Sequence, residues 1–253
     1  MRLTVLGGCG GWPAAGLACS GYMVEQDGFR LLIDPGYAIV PRLLAVVDAA
    51  AVDAVLVSHG HPDHCADLNP LLRARAMNDE PPPALPVFAP PGALGPVLAL
   101  DRPGTLDDAF SLREFTPGDR LEVGPFGLCS WLLPHWMPNA GLRLEADGQV
   151  LAYTGDSGPS PLLTELARNA DIFLAEATEP WQLTGSEARY LSSARQAGAV
   201  AREAGAGRLV LTHLWPGTDP DEAVRAAAAS YPGEIAVASP GLVTDPARRR
   251  ECQ

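Results

Sequence analysis

The stretch FRLLIDPG (29–36), a helix candidate and VDAVLVSHGHPDH (52–64) has an echo later in the chain: QVLAYTGDSG (149–158), a second helix candidate and ADIFLAEATEP (170–180). In both, an apolar strand ends beside Asp and Gly, a helix follows, and the next strand opens with Asp. A strand–helix–strand unit of this kind builds a parallel pair with its helix on one face of the sheet. Two such units predict two β-rich halves packed sheet against sheet with helices outside, an α/β sandwich. The echo also sets Asp156 of the second half where Asp34 stands in the first.

The remaining segments extend this pattern. LTVLG (3–7) and GYMVE (21–25) read as strands, and the second meets FRLLID (29–34) across the hairpin turn Gln26-Asp27-Gly28. Helices are expected at 41–47 and 68–77, then a Pro-rich surface loop at 78–86 and a short strand at 87–89. Four strands with Gly-containing turns fill 120–155. Helices at about 161–168, 192–204 and 219–230 then alternate with strands at 171–177, 208–213 and 234–239, where the ordered chain is expected to end. With 253 residues, 47% of them apolar, one domain over 1–253 accounts for the whole chain.

Five histidines are present: His59, His61, His64, His135 and His213. Each falls at, or just past, the end of a predicted strand, where α/β proteins gather ligands from remote parts of the chain. In HGHPDH (59–64) a strand end enters a tight turn with Gly60 and Pro62. Such a turn can aim His59 and His61 at one point, and Asp63 and His64 at another nearby. Imidazoles and carboxylates suit zinc and similar divalent ions, and three protein ligands with an open position make a catalytic site. Three imidazoles brought together without a metal repel one another when protonated. The hexapeptide therefore reads as a metal site and not as a polar loop.

HGHPDH, then His135, Asp156 in TGDSG and His213 in LTH resemble, in order, the motifs of the metallo-β-lactamase fold hydrolases, and Asp34 in LLIDPG matches the first of them. The resemblance runs over nearly the whole chain and looks closest to the ribonuclease Z-like branch, which includes phosphodiesterases. It implies a four-layer αββα sandwich with a two-metal site at one edge. By the same resemblance His59, His61 and His135 bind the first metal, Asp63, His64 and His213 the second, and Asp156 bridges both. Asp34 would orient a ligand from behind; an ordinary strand-to-turn Asp is the other reading. The implied cofactor is two divalent ions per chain, zinc first, with manganese or iron as alternatives.

The expected chemistry follows from charge. Two divalent ions ~3.5–4 Å apart lower the pKa of a bridging water towards neutrality and polarise the oxygen under attack. Asp63 and Asp156 are the candidate catalytic carboxylates, Asp63 holding or accepting the water's proton. The expected activity is hydrolysis of a small ester-like substrate, a phosphodiester, lactone or related ester, by a metal-bridging hydroxide. A mononuclear iron oxidoreductase of the sulfur dioxygenase kind is the alternative on the same fold.

Net charge is −12, all eighteen basic residues are Arg, and the one basic cluster is Arg248–Arg250. That argues against a nucleic-acid partner and against transfer RNA processing, and for a small-molecule substrate. Ribonuclease Z proteins typically carry a His-Glu-Ala-Thr stretch where this chain has Ala175-Glu176-Ala177-Thr178, so the proton-shuttling His is replaced by Ala175; 78–119 also lacks a long Gly-rich arm. Glu176 remains as a proton relay at the pocket rim or as a capping or solvated side chain. Tyr190 stands where many relatives place a His. Trp136 and Trp215 flank candidate ligands and either wall the pocket or pack in the core. Trp12, beside GGCGG, is read as a packing residue, with a mobile rim loop as the other possibility. Cys9, Cys19, Cys65, Cys129 and Cys252 are odd in number and widely spaced, which reads as free thiols of a cytoplasmic protein, Cys65 being a buried filler or a neighbour of the site. No apolar run approaches the ~18–20 residues of a membrane span, and the first residues lack a secretory pattern. A homodimer is expected from the family alone.

Overall fold

The computed structural model describes residues 1–245; Arg248–Arg250 and Cys252 lie outside the described residues. In chain order the elements are β1 (Arg2–Gly7), β2 (Gly21–Gln26), β3 (Phe29–Ile33), α1 (Val40–Leu43), β4 (Ala54–Leu56), α2 (Pro62–Cys65), α3 (Leu68–Ala76), β5 (Leu85–Ala89), α4 (Gly95–Leu98) and β6 (Phe110–Glu114). The second half supplies β7 (Arg120–Val123), β8 (Phe126–Leu133), β9 (Asn139–Ala146), β10 (Gln149–Tyr153), α5 (Leu162–Leu166), β11 (Ile172–Glu176), α6 (Ala194–Ala204), β12 (Arg208–Thr212), α7 (Pro220–Ala228), β13 (Glu234–Val237) and β14 (Val243–Thr244).

Two seven-stranded sheets result, ordered β14-β1-β2-β3-β4-β5-β6 and β13-β12-β11-β10-β9-β8-β7. Each is antiparallel up to one strand, β3 or β10, and parallel beyond it. The sequence echo is thus an architectural one: β3 and β10 hold corresponding places, and Asp34 and Asp156 follow them.

Strands buried on both faces must be apolar on both, and alternate residues show where each face goes. Leu31 and Ile33 of β3, with Leu151 and Tyr153 of β10 and Ile172 and Leu174 of β11, fill the layer between the sheets. Leu32 faces the helices over the first sheet. Val150, Ala152, Phe173 and Ala175 face the helices over the second. Each fully buried Leu or Ile contributes roughly 1.5–3 kcal/mol of hydrophobic stabilisation, so this central layer dominates the packing. Helix α6 opens on a capping box between Ser193 and Gln196 and stops at Gly205, whose φ is 68°. Its Gly198 lies against the Ala227 carbonyl of α7, where a Cβ would come within 2.3 Å. Small residues therefore let these two helices meet closely.

The Asp27-Gly28 hairpin is present, with φ of 51° and 85° and Gln26 paired to Phe29. Three differences stand out. The helix expected over 41–47 covers only Val40–Leu43. Residues 78–119 carry α4 and β6 besides the expected strand; β6, FSLRE, is a largely exposed edge whose alternation is limited to Phe110 and Leu112. The chain also does not end its ordered part at 239. It returns to the first sheet as β14, a two-residue strand too short for any periodic signal. No helix among the described residues is long and apolar enough to cross a membrane.

Candidate metal centre

All seven predicted ligands converge at one end of the two sheets. His59 follows β4; His61 caps α2, which carries Asp63 and His64; His135 follows β8, Asp156 follows β10 and His213 follows β12. They form two groups whose donor atoms lie within 4.8 Å of one another: His59, His61, His135 and Asp156, and Asp63, His64, Asp156 and His213. In the first, His61 Nδ1 is 3.0 Å from His59 Nε2 and 2.9 Å from His135 Nε2, and Asp156 Oδ2 lies 3.7 and 3.8 Å from the latter two. In the second, His213 Nε2 is 3.2 Å from both Asp63 Oδ2 and Asp156 Oδ2, and His64 Nε2 is 3.2 Å from Asp156 Oδ1. Asp156 belongs to both groups.

The surrounding hydrogen bonds assign the imidazole tautomers. The Tyr190 carbonyl can only accept, so His135 Nδ1–H donates to it, at 3.0 Å. His64 Nδ1–H donates to Asp34 Oδ2 at 2.8 Å. Ser58 Oγ–H donates to the same Oδ2 at 2.7 Å, which leaves its lone pair for His59 Nδ1–H at 3.0 Å. Thr178 Oγ1–H donates to Glu176 Oε1 at 2.7 Å and accepts from His213 Nδ1–H at 3.1 Å. Four Nε2 lone pairs are thereby turned inwards. His64 Nε2 and Asp156 Oδ1 are buried without a hydrogen-bond partner. Inward lone pairs, buried carboxylates and unpartnered polar atoms are what divalent cations satisfy, so the donor set fits them.

Electrostatics divides the groups. Burial, reinforced by neighbouring imidazoles, lowers the pKa of His59, His61 and His135, although Asp156 opposes it. Burial works against protonation of His64 and His213 as well, but Asp156 and Asp63 outweigh it and raise both. Burial would raise Asp63 and Asp156; the histidines, His64 and His213 foremost, hold both below the usual carboxylate range.

Asp34, fully buried and at a φ of 49°, also accepts from Ser58 N–H and from Tyr153 Oη–H, each at 2.7 Å. It reaches His64 directly and His59 through Ser58. Glu176 is neither at a rim nor solvated nor a helix cap. It is 1% exposed and accepts from Ser157 N–H, Thr178 Oγ1–H and Ser192 N–H. Burial and the Asp156 charge push its pKa up to about 8. Ala175 faces away from the centre, into a cavity of about 440 Å³ beneath α5 and α6. Cys65 is a buried filler whose Sγ–H donates to the His61 carbonyl, and burial pushes its thiol up to about 12. Cys9, Cys19, Cys65 and Cys129 are free thiols. Trp136 and Trp12 are half exposed, and the partly buried Trp215 packs against Trp12 with ring centroids 6.0 Å apart.

Three contributors were not singled out beforehand. Gly11 N–H donates to Asp63 Oδ2 at 2.9 Å, and Tyr153 and Thr178 act as described. The GGCGG run was the only signal for Gly11. It brings the backbone so close that a Cβ on Gly10 would meet the His213 ring at 2.7 Å.

A back-to-back pair of mixed sheets with this cluster at the strand ends defines a metallohydrolase architecture. The Beta-lactamase superfamily domain matches residues 29–214, and the chain belongs to this superfamily, as a metal-dependent hydrolase of the metallo-β-lactamase fold. Among its relatives, it is 30% identical over 246 residues to the probable metallo-hydrolase YhfI of Bacillus subtilis, covering 96% of this chain and 99% of that protein. The crystal structure of YhfI matches with a TM-score of 0.87 over the same shares. A Ribonuclease Z of Mycobacterium bovis is 29% identical over 94% of this chain and 95% of its own length. The human tRNase Z short form shares the fold, with a TM-score of 0.77 at 20% identity over 98% of this chain and all of that one.

Proposed function

We propose that this protein is a dinuclear hydrolase of small phosphodiesters in the cytoplasm, with two divalent cations, zinc in the first place, held by His59, His61, His135 and Asp156 and by Asp63, His64, Asp156 and His213. The observation that carries it is the double membership of Asp156, whose carboxylate faces both groups of donors. Cations bound there would supply a water of lowered pKa and a Lewis acid for the phosphoryl oxygen. The chain's own residues do the rest. Asp63, fixed by Gly11 N–H and reached by solvent at its edge, holds the attacking water and can take its proton. Asp34, Thr178 and the Tyr190 carbonyl keep the imidazoles in register and their Nε2 atoms free of hydrogen. A relative named as a ribonuclease supports phosphodiesters as the ester class, and the charge of −12 supports a small substrate over a polynucleotide.

Elemental analysis of purified protein tests this together with hydrolysis of bis(p-nitrophenyl) phosphate. Two metal ions per chain are expected, with activity abolished in Asp156→Ala while its circular dichroism is unchanged. One iron per chain, or a zinc- or manganese-loaded protein inert on phosphodiester, lactone and aryl ester alike, would overturn the proposal.

A further inference from the structure

The dinuclear centre is framed by two aromatic pairs. At the first group of donors, the Trp136 ring lies edge-on to His135 with centroids 5.0 Å apart and packs against Tyr190 at 5.1 Å. The Tyr190 carbonyl holds His135 Nδ1–H, and a Cβ on Gly158 would come within 1.9 Å of the Arg189 carbonyl. The turn that brings Tyr190 to the centre, at the end of a short 3-10 helix over Glu187–Arg189, is therefore pressed onto the loop that carries Asp156. At the second group stands the Trp12–Trp215 pair, where Trp215 Nε1 lies 3.8 Å from the Cβ position of Gly11. Trp136 is 51% exposed and Trp12 is 50% exposed.

A Trp that leaves half its surface in water forgoes much of the burial that usually places it inside. Packing against His135 and Tyr190 accounts for the buried half of Trp136 but not for the half left open to solvent. Charge narrows what that face is for. Among the described residues, every ion pair made by Asp34, Asp63 and Asp156 is with a histidine. The charge of the centre is thus balanced among its own carboxylates and imidazoles, and for the rest of a substrate a flat ring laid on a half-exposed indole is a strong uncharged contact.

We propose that the substrate carries a planar aromatic group on one ester arm, an aryl ring or a nucleobase, and that this group stacks on the open face of Trp136 beside the first metal. The proposal rests on the phosphodiester reading above and adds the class of ester. Trp136 is then a specificity-determining residue and Tyr190 the support that keeps its ring in place.

Three phosphate monoesters that differ only in their arm test it on metal-loaded protein: methyl phosphate, phenyl phosphate and thymidine 5′-monophosphate. Their dissociation constants are read by quenching of tryptophan fluorescence, and as inhibition constants against bis(p-nitrophenyl) phosphate. An aromatic arm should tighten binding on the order of tenfold over methyl. Phenyl as the tighter of the two aromatic arms assigns an aryl ester, and thymidine assigns a nucleotide. Trp136→Ala should bring the aromatic-to-methyl ratio close to one, Trp136→Phe should restore most of it, and Trp181→Ala, at an exposed Trp hydrogen-bonded to Glu222, should leave it alone. Equal binding of methyl and phenyl phosphate, or a ratio that survives Trp136→Ala, overturns the inference while hydrolysis of the reporter still stands. A protein that binds the aromatic arms preferentially but hydrolyses no diester overturns the phosphodiester reading instead.

Discussion

Asp34 shows how much of a metal centre can rest on a residue that touches no metal. One carboxylate receives His64, Ser58 and Tyr153, and through Ser58 it also fixes His59. Asp34→Asn keeps the shape but presents an amide to a crowd of donors. It should weaken metal affinity roughly 10–100-fold, read by chelator competition; unchanged affinity would reduce Asp34 to a structural turn. Glu176 is a second buried carboxyl, lifted from an ordinary 4.5 to about 8. Folding therefore holds a proton that the unfolded chain releases, so its stabilising contribution is complete below about pH 4.5 and is lost as pH rises through 8. In chelated protein the melting temperature should fall between pH 5 and pH 8. Glu176→Gln should flatten that slope whatever its own offset; an identical slope in the variant would assign the effect elsewhere. At this scale the sequence made the seven converging residues and Asp34 legible, because histidine is scarce in it and each sits at a strand end. Tyr153, Thr178 and Gly11 were not, because each is an ordinary residue whose role exists only once distant segments meet. Glu176 was visible but misjudged: nothing local reveals that its side chain is sealed beneath Ser157 and Ser192.

Among the elements, the turn after each key strand does the positioning. Gly36 follows Asp34, and a Cβ there would come within 1.9 Å of the Asp63 carbonyl, which is backbone and cannot swing aside. Gly36→Ala should cost on the order of 2–4 kcal/mol and displace α2, which carries Asp63 and His64. Lower thermal stability together with reduced metal content would show this; a variant with native stability and full metal would refute it. Apolar strands were readable because burial on both faces leaves a continuous apolar run, as in β3, β4 and β11. The edge strands β6 and β14 were not. One is polar and exposed, the other is two residues long, and both owe their existence to a neighbour, β5 or β1.

For the molecule as a whole, the centre sits where two sheets meet, and each sheet supplies only part of it: His59, His61, Asp63 and His64 from the first, His135, Asp156 and His213 from the second. Cations bound there favour the docked sheets over the unfolded chain. Stripping them should lower the melting temperature by roughly 5–10 °C for each ion lost, reversibly on adding metal back, if the ions were present at about a hundred times their dissociation constant. A melting temperature indifferent to chelation would mean that the inter-sheet core alone sets the stability. The same division gives the centre a history within each round of synthesis. The chain emerges from the ribosome with the HGHPDH donors first, then His135 and Asp156, which complete one group. The other must wait for His213, made after all but two of the strands. On the dinuclear reading proposed above, a chain cut short before His213 would keep the first group of donors and lack the second.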